Sequence, residues 1–304
     1  MSRSGELLAG VELGGTKCVC IVGTGPDDVA TQISVATGDD AEATLGQIEA
    51  ILRDLDRAMG PIAALGVASF GPVDLDPRSP TWGHITSTPK PGWSQVDVGR
   101  RLARALDRPT GFDTDVNGAA LAEGRWGAAQ GLADFAYVTV GTGVGAGLIA
   151  GGRPIGGFSH PEIGHMRVAR REGDDWPGSC PFHGDCVEGL ASGSAIKARL
   201  GGSPARLDEE DPVWDLVAHV LAGMAHNLAV TAAPRRILMG GGVMNAQPHL
   251  FPRIRRELTR SLAGYLALPE MEDFIRPPGL GDMAGPLGAL AVAADALAAA
   301  RSPR

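Results

Sequence analysis

The chain has no excess of positive charge. Its 304 residues include 27 lysines and arginines against 35 aspartates and glutamates, which gives a formal net charge of -8. Proteins that bind nucleic acid or anionic lipid without sequence preference take their affinity from neutralising phosphates with Lys and Arg. The charge balance therefore argues against nucleic acid and membrane partners and favours a small molecule.

Long apolar runs are also missing. Hydrophobic residues make up 44% of the chain, but 44 glycines and many charges interrupt them, and no apolar run reaches the roughly 18 residues of a membrane span. The first ten residues, MSRSGELLAG, lack the basic and apolar pattern of a signal peptide. The sequence predicts a soluble protein located in the cytoplasm.

Cysteine is scarce, since the chain has four, and two of them lie in the stretch His160–Glu188. There, Cys180, His183 and Cys186 have the spacing C-x-x-H-x-x-C, which lets three side chains converge on one ion. His165 upstream can complete a tetrahedral Cys2His2 set, a ligand set typical of structural zinc. We predict a structural zinc site.

Two alternatives apply to these thiols. A disulfide between Cys180 and Cys186 would need an oxidising compartment, which the missing export signal disfavours. The thiols could also be unrelated neighbours in a glycine-rich loop with chance histidines. The other two cysteines, Cys18 and Cys20, alternate along an expected strand and point to one face, so we interpret them as packing residues.

Two carboxylates flank the predicted ligands. Glu162 lies three residues before His165, and Glu188 lies two residues after Cys186. Folding this stretch around one ion would bring both carboxylates to the same place. The expected result is a pocket for a polyol.

The N-terminal segment 7–22, LLAGVELGGTKCVCIV, reads as a strand, a glycine turn and a second strand. A hairpin lacks the helix that a P-loop or a Rossmann fingerprint requires, but glycines still let backbone N–H groups approach phosphate oxygens. The alternative is an ordinary tight hairpin. The candidate phosphate contacts are Gly14, Gly15, Thr16 and Lys17. Glu12, at the end of the first strand, is a candidate contact for hydrated magnesium.

Two further glycine turns follow. Residues 135–152 repeat the strand, glycine turn and strand, and residues 234–245 form a strand that ends in glycines and leaves room for a flat adenine ring. Two phosphate-sized hairpins in one chain indicate a nucleotide held between two lobes, and 304 residues suit two lobes. The turn residues are Gly141, Thr142 and Gly143, then Gly240, Gly241 and Gly242.

A third candidate group follows a short strand in the segment PTGFDTDVNG. Asp113, Asp115 and Asn117 lie at the end of this strand, before a helix expected to begin near Gly118. The sheets of α/β proteins expose reactive groups at such strand ends. Only one of the three needs a chemical role. An N-cap role would account for Asn117.

The elements around these groups are predicted from periodicity. Residues 40–59 indicate an amphipathic helix, and a buried strand after it ends in Gly71-Pro72, which presents backbone at a rim. Residues 85–93 are rich in proline and threonine and must form a loop. A helix is expected over 95–106.

The chain resembles the ROK family of sugar kinases and repressors over nearly its whole length. The resemblance rests on four features in this order: the two glycine hairpins, the Asp115 strand end, the motif H-P-E-I-G-H and the cysteine motif. The resemblance implies a two-lobed α/β fold of the actin-like, ribonuclease H-like type, with sugar between the lobes and ATP above it. The implied lobes are residues 1–116, with a C-terminal helix 286–304 packing back on them, and 117–285, which carry the zinc site. It also implies a homodimer.

The resemblance assigns roles to single residues. ELGGTK and TVGTGVGAG match the two phosphate segments, with Glu12 where many members have aspartate, and MGGGV matches the adenosine segment. The family signature Asn-Asp-x-Asn reads Thr114-Asp115-Val116-Asn117 here, so Asp115 matches the general base. The implied sugar contacts are Gly71, Pro72, Thr114, Asp115, Glu162, His165 and Glu188.

The metal motif departs from the usual pattern because His183 stands where many members have a third cysteine. This variant, together with TPKPGW, resembles the bacterial fructokinase branch. The implied reaction is ATP-dependent phosphorylation of D-fructose to fructose 6-phosphate, with magnesium and zinc as metals. Alternatives are a kinase of the same fold for glucose, mannose or an N-acetylhexosamine, a non-enzymatic zinc module, or a sugar-responsive repressor. The repressor is disfavoured because only about a dozen residues precede the first hairpin.

Overall fold

The computed structural model describes residues 5–202 and 207–302, which form two compact units. The first unit contains the chain up to Gln130, Pro154–His160 and the chain from Asp282. The second contains Gly131–Arg153 and Pro161–Gly281.

The first unit is built on a five-stranded sheet in the order β3-β2-β1-β4-β7. Strands β1, β2 and β3 pair antiparallel, whereas β4 and β7 continue the sheet in parallel with β1. The elements are β1 (Leu8–Leu13), β2 (Lys17–Gly25), β3 (Asp28–Ala36), α1 (Ala41–Met59), β4 (Ala64–Ser69), β5 (His84–Ile85), β6 (Val96–Asp97), α2 (Gly99–Leu106), β7 (Thr110–Thr114), α3 (Asp115–Trp126) and α10 (Ala284–Arg301).

The helix predicted over 40–59 is confirmed as α1. Its N-cap is Asp40, whose side chain accepts a hydrogen bond from the Ala43 N–H. Its buried face contributes Leu45, Ile48 and Leu52 to the core of the first unit. The apolar spacing of three and four therefore predicted both the helix and its buried side.

Helix α10 lies directly on the first sheet because glycines remove the side chains that would separate them. A Cβ atom built on Gly66 of β4 would lie 2.0 Å from the Ala289 carbonyl oxygen. Helix α3 crosses α10 equally closely, since a Cβ on Gly288 would lie 2.4 Å from the Gly118 carbonyl carbon. Helix α3 therefore belongs to the first unit, which extends to Gln130 rather than to the expected boundary at residue 116.

The second unit repeats the sheet pattern in the order β10-β9-β8-β11-β12. Strands β8 and β9 form an antiparallel hairpin, and β11 and β12 continue in parallel with β8. The elements are β8 (Phe135–Val140), β9 (Val144–Ala150), β10 (Arg153–Pro154), α4 (Val187–Ala191), α5 (Gly193–Leu200), α6 (Pro212–Thr231), β11 (Ile237–Gly240), α7 (Gly242–Ala246), α8 (Leu250–Leu262), α9 (Met271–Phe274) and β12 (Ile275–Arg276).

Three predicted boundaries were wrong by a few residues. The helix expected from residue 95 begins at Gly99, because residues 96–97 form strand β6 against β5. The buried strand expected to end in Gly71-Pro72 ends at Ser69. The helix expected near Gly118 begins at Asp115, because Thr114 supplies the cap.

Two helices have the length and hydropathy of a membrane span, namely Pro212–Thr231 and Gly281–Arg301. About half or more of each apolar window is buried within the protein, at 61% and 50%. Core helices satisfy the same criterion, so their composition reflects packing inside each unit.

Candidate active site

The first glycine turn, between β1 and β2, is held by a residue that sequence reasoning missed. Thr37 donates its hydroxyl to the Gly14 carbonyl oxygen at 2.8 Å and its N–H to the Thr16 carbonyl oxygen at 2.9 Å. A Cβ atom built on Gly15 would meet no atom within 4 Å. The turn is therefore held by hydrogen bonds at Gly14 and Thr16 and has open space at Gly15 for a ligand.

Glu12 precedes this turn on β1 and is half-buried. Burial raises the pKa of Glu12 to about 7, and the charge of Lys17 opposes that shift. A Cβ on Gly285 would lie 2.0 Å from Glu12 Oε1, so the carboxyl group packs against the first turn of α10. The missing side chain at Gly285 makes room for this carboxyl group, which can hold a hydrated divalent cation.

The Asp115 segment has a different arrangement from the one predicted. Thr114 is buried and caps α3, since its Oγ1 accepts from the Asn117 N–H at 3.1 Å. The alternative N-cap role of Asn117 is therefore wrong: its side chain lies inside the first turn and donates to Asp113 Oδ1 at 2.7 Å. Burial raises the pKa of Asp113. Asp115 follows β7 with a partly exposed carboxylate, which is where a base for a bound ligand is expected.

The loop after β4 is anchored by His160, which sequence reasoning did not single out. The Val73 N–H donates to His160 Nε2 at 3.1 Å in a buried contact. A Cβ on Gly71 would lie 3.4 Å from the same imidazole ring. His160 thus fixes the Gly71-Pro72 backbone that was predicted to lie at a rim.

The second glycine turn, between β8 and β9, is tied to the residues after the metal motif. The Gly193 N–H donates to the Gly141 carbonyl oxygen at 2.7 Å, and the Val144 N–H donates to Glu188 Oε2 at 3.0 Å. A Cβ on Gly143 would lie 2.5 Å from the same Glu188 oxygen. Glycine at position 143 is therefore required for the contact between Glu188 and this turn.

The third glycine group joins β11 to α7. Gly241 has a φ of 90°, which favours glycine. A Cβ there would lie 2.6 Å from both Thr139 Oγ1 and the Val140 carbonyl oxygen. A Cβ on Gly242 would meet no atom within 4 Å, so this position has open space.

The four predicted metal ligands converge. The candidate donor atoms of His165, Cys180, His183 and Cys186 all lie within 4.8 Å of one another. His165 Nδ1 is 3.7 Å from Cys180 Sγ, 3.6 Å from Cys186 Sγ and 3.3 Å from His183 Nδ1. Burial raises the pKa of the Cys186 thiol to about 11, and the neighbouring Cys180 adds to the shift. Two sulfur and two nitrogen donors in this arrangement fit one tetrahedral metal ion.

The expected carboxylates lie beside this cluster. Burial raises the pKa of Glu162; the charge of His165 opposes the shift, and the Glu188 carboxylate adds to it. Glu162, His165 and Glu188 therefore lie close enough within the second unit to influence one another electrostatically. Because His165 turns Nδ1 towards the cluster, its Nε2 is the nitrogen that can face a ligand.

The predicted site residues divide between the two units. The first unit carries Glu12, Gly14, Gly15, Thr16, Lys17, Gly71, Pro72, Thr114 and Asp115. The second unit carries Gly141, Thr142, Gly143, Glu162, His165, Cys180, His183, Cys186, Glu188, Gly240, Gly241 and Gly242.

The repeated sheet pattern defines the class of protein. Each unit has a five-stranded sheet in which an antiparallel hairpin with a glycine turn is followed by parallel strands. This confirms the two-lobed actin-like, ribonuclease H-like class predicted from the sequence. The ROK family matches residues 8–296, and the chain belongs to that family.

Known proteins are similar to this chain over most of its length. A fructokinase from Pediococcus pentosaceus is 40% identical, with 96% of this chain and 99% of the relative covered. A fructokinase from Zymomonas mobilis is 44% identical over 83% of this chain and 85% of the relative. The structure of a ROK family glucokinase from Streptomyces griseus, in complex with glucose and AMPPNP, has a TM-score of 0.76 at 26% identity, with 95% and 99% covered.

Proposed function

We propose that this protein is a fructokinase that transfers the γ-phosphoryl group of ATP to the 6-hydroxyl of D-fructose, giving fructose 6-phosphate and ADP. The main observation in support is the 40% sequence identity to the P. pentosaceus fructokinase over nearly the full length of both chains. The convergence of the metal ligands with Glu162 and Glu188 supports a polyol site in the second unit.

Asp115 is the proposed general base. Its carboxylate accepts the proton of the fructose 6-hydroxyl while that oxygen forms a bond to the γ-phosphorus, and the bond from phosphorus to the bridging oxygen of ADP breaks. Phosphoryl transfer depends mainly on alignment and charge stabilisation, so one positioned carboxylate is enough. No covalent enzyme intermediate is required.

Binding roles follow the positions of the other predicted residues. Glu162, His165 and Glu188 bind sugar hydroxyls, with the Gly71-Pro72 backbone and Thr114 completing the sugar contacts. The nucleotide phosphates bind the first and second glycine turns, and the adenosine binds the third. The residues proposed to bind ATP are Gly14, Gly15, Thr16, Lys17, Gly141, Thr142, Gly143, Gly240, Gly241 and Gly242.

Zinc is the proposed ion for the four-ligand cluster. With bond lengths of about 2.3 Å to sulfur and 2.0 Å to nitrogen, a tetrahedral zinc ion places S and N ligands about 3.5 Å apart and two N ligands about 3.3 Å apart. Three sulfur–nitrogen separations are 3.6 to 3.7 Å and the nitrogen–nitrogen separation is 3.3 Å, and all donor atoms lie within 4.8 Å of one another. When bound, the ion would lock the cluster and fix the ring orientation of His165.

Glu12 is the proposed contact for hydrated magnesium, and its buried carboxyl group predicts a pH dependence. Magnesium prefers an ionised carboxylate, and the pKa of Glu12 in the free protein is about 7. The carboxylate fraction is therefore high above that pH and falls about tenfold per unit well below it. We expect the KM for MgATP at roughly pH 6 to be about tenfold higher than its value well above pH 7. The measurement is initial rates at saturating fructose.

The variant Glu12→Gln removes the titrating group without changing the size of the side chain. We expect a raised KM for MgATP that stays constant across the same pH range. A pH profile in this variant that matches the native one would assign the titration to another group.

The proposed function is tested by ADP release with fructose, glucose, mannose and N-acetylglucosamine as acceptors, with and without a zinc chelator. We expect the highest kcat/KM for fructose and a loss of activity after metal extraction. Higher kcat/KM for glucose, mannose or the acetylated sugar would assign the chain to a different hexose kinase. We further propose that the protein is a homodimer located in the cytoplasm and that it binds no nucleic acid. The molar mass from static light scattering tests the homodimer.

A further inference from the structure

Glu188 makes a contact that sugar binding alone does not explain. Its Oε2 accepts a hydrogen bond from the Val144 N–H at 3.0 Å, directly after the second glycine turn. The contact is close-packed, because a Cβ on Gly143 would lie 2.5 Å from the same oxygen. The carboxylate is thus held by the turn that is proposed to bind nucleotide phosphates.

The helix that carries Glu188 is held equally closely by the metal cluster. Cys186 is both a cluster ligand and the N-cap of α4, and its Sγ accepts from the Gly189 N–H at 3.4 Å. The Ser179 N–H donates to the Gly189 carbonyl oxygen at 2.9 Å. A Cβ on Gly189 would lie 2.9 Å from Cys180 Cβ. Helix α4 is therefore packed and hydrogen-bonded directly against the segment that carries the two cysteines.

A second connection runs through the corner between α4 and α5. The Ser192 N–H donates to the Glu188 carbonyl oxygen at 3.2 Å, and Ser192 is only 1% exposed. The next residue, Gly193, donates its N–H to the Gly141 carbonyl oxygen at 2.7 Å. The metal cluster and the second glycine turn are thus joined by a side-chain contact and by a backbone contact, both within the second unit.

We propose that the metal cluster and the second glycine turn are energetically coupled, with Glu188 as the positioning residue that links them. The inference rests on the proposed function in one respect, namely that this turn binds nucleotide phosphates. Coupling between two sites is reciprocal. Nucleotide binding therefore strengthens metal retention, and metal loss weakens nucleotide binding as well as sugar binding.

The coupling is measured as the zinc dissociation constant of the full chain, from equilibrium competition with a colorimetric chelator, with and without saturating MgADP and in the absence of sugar. Coupling free energies between sites typically correspond to 5- to 150-fold effects. We expect MgADP to lower the zinc dissociation constant about fivefold or more. The assay involves no turnover, so it can succeed or fail independently of whether fructose is the substrate.

Two variants test the role of Glu188. Glu188→Ala removes the carboxylate that the Val144 N–H contacts, and Gly143→Ala directs a methyl group at that carboxylate. Neither residue is a cluster ligand. Gly46→Ala is the matched control, because a Cβ at this helical position in the first unit meets no atom within 4 Å. MgADP binding by each variant is measured by calorimetry, so that saturation is established.

We expect MgADP to protect zinc in the native chain and in Gly46→Ala, and to give little protection in Glu188→Ala and Gly143→Ala. Equal zinc dissociation constants with and without MgADP in the native chain would overturn the coupling. Native-like protection in the two variants would overturn the role of Glu188. If Glu188→Ala does not retain metal during purification, Gly143→Ala decides the question.

Discussion

Replacing Asp115 with asparagine is expected to lower kcat for fructose phosphorylation about 100-fold or more, the usual scale for loss of a general base. The asparagine side chain keeps the shape of the aspartate but cannot accept a proton. Thr114 caps α3 through its own hydroxyl. The Asp115 Oδ1 also accepts from the Val116 N–H at 2.9 Å, a contact that the amide oxygen of asparagine can keep. The KM for fructose should therefore stay near its native value.

The measurement is steady-state ADP release, supported by calorimetric titration of the variant with fructose. The matched control is Asp211→Asn, which makes the same chemical change at the start of α6 in the second unit. There the Asp211 side chain caps the helix by accepting from the Val213 N–H, and asparagine caps helices equally well. We expect native kcat in the control. Near-native turnover by Asp115→Asn would remove Asp115 from the mechanism.

Local patterns predicted the elements that carry the candidate site. Apolar runs on either side of Gly14-Gly15 predicted the first hairpin, which the structure shows as Leu8–Leu13 and Lys17–Gly25. The same reasoning predicted the second hairpin across Gly141 and Gly143. Both succeeded because a two-residue period and a glycine turn are properties of neighbouring residues.

The metal cluster was predictable because ligand chemistry restricts the possible partners. Cys180, His183 and Cys186 are close in sequence, and few residues other than His165 could complete the set. The structure brings all four donor atoms within 4.8 Å. The spacing did not reveal that Cys186 also caps α4, because that role depends on where the helix begins.

Contacts between distant parts of the chain were not predictable from these patterns. Thr37 holds Gly14 across 23 residues, and His160 holds Val73 across 87 residues. Thr37 has no local signal, and the motif H-P-E-I-G-H that begins with His160 does not indicate which distant backbone group the imidazole contacts. The Asn117 interpretation was wrong for a related reason: the strand continues to Thr114, which takes the capping role three residues earlier.

Glycine positions show the same distinction between conformation and packing. Gly241 needs its backbone conformation, with a φ of 90°, and a glycine run after a strand indicates such a turn. Gly143 and Gly285 instead leave space for the carboxyl groups of Glu188 and Glu12, which a side chain at either position would displace. Only the three-dimensional structure shows that these two glycines make room for site carboxylates.

Removing one cluster ligand is expected to have the second large effect. In Cys180→Ala we expect bound zinc to fall from one equivalent to near zero and the KM for fructose to rise about tenfold or more. The cause is that His165 loses the ion that fixes its ring, so Nε2 no longer faces the sugar in one orientation. The measurements are elemental analysis of the purified protein and initial rates across fructose concentrations.

The control is Cys20→Ala, which also removes a buried thiol but belongs to β2 of the first unit and is not a cluster ligand. This control tests whether removing any buried thiol lowers the zinc content and raises the KM for fructose. We expect full zinc content and a native KM for fructose, because Cys20 packs between apolar neighbours in the first unit. Loss of zinc from Cys180→Ala with an unchanged KM for fructose would show that the cluster does not orient His165. Full zinc retention would show that Cys180 is not a ligand.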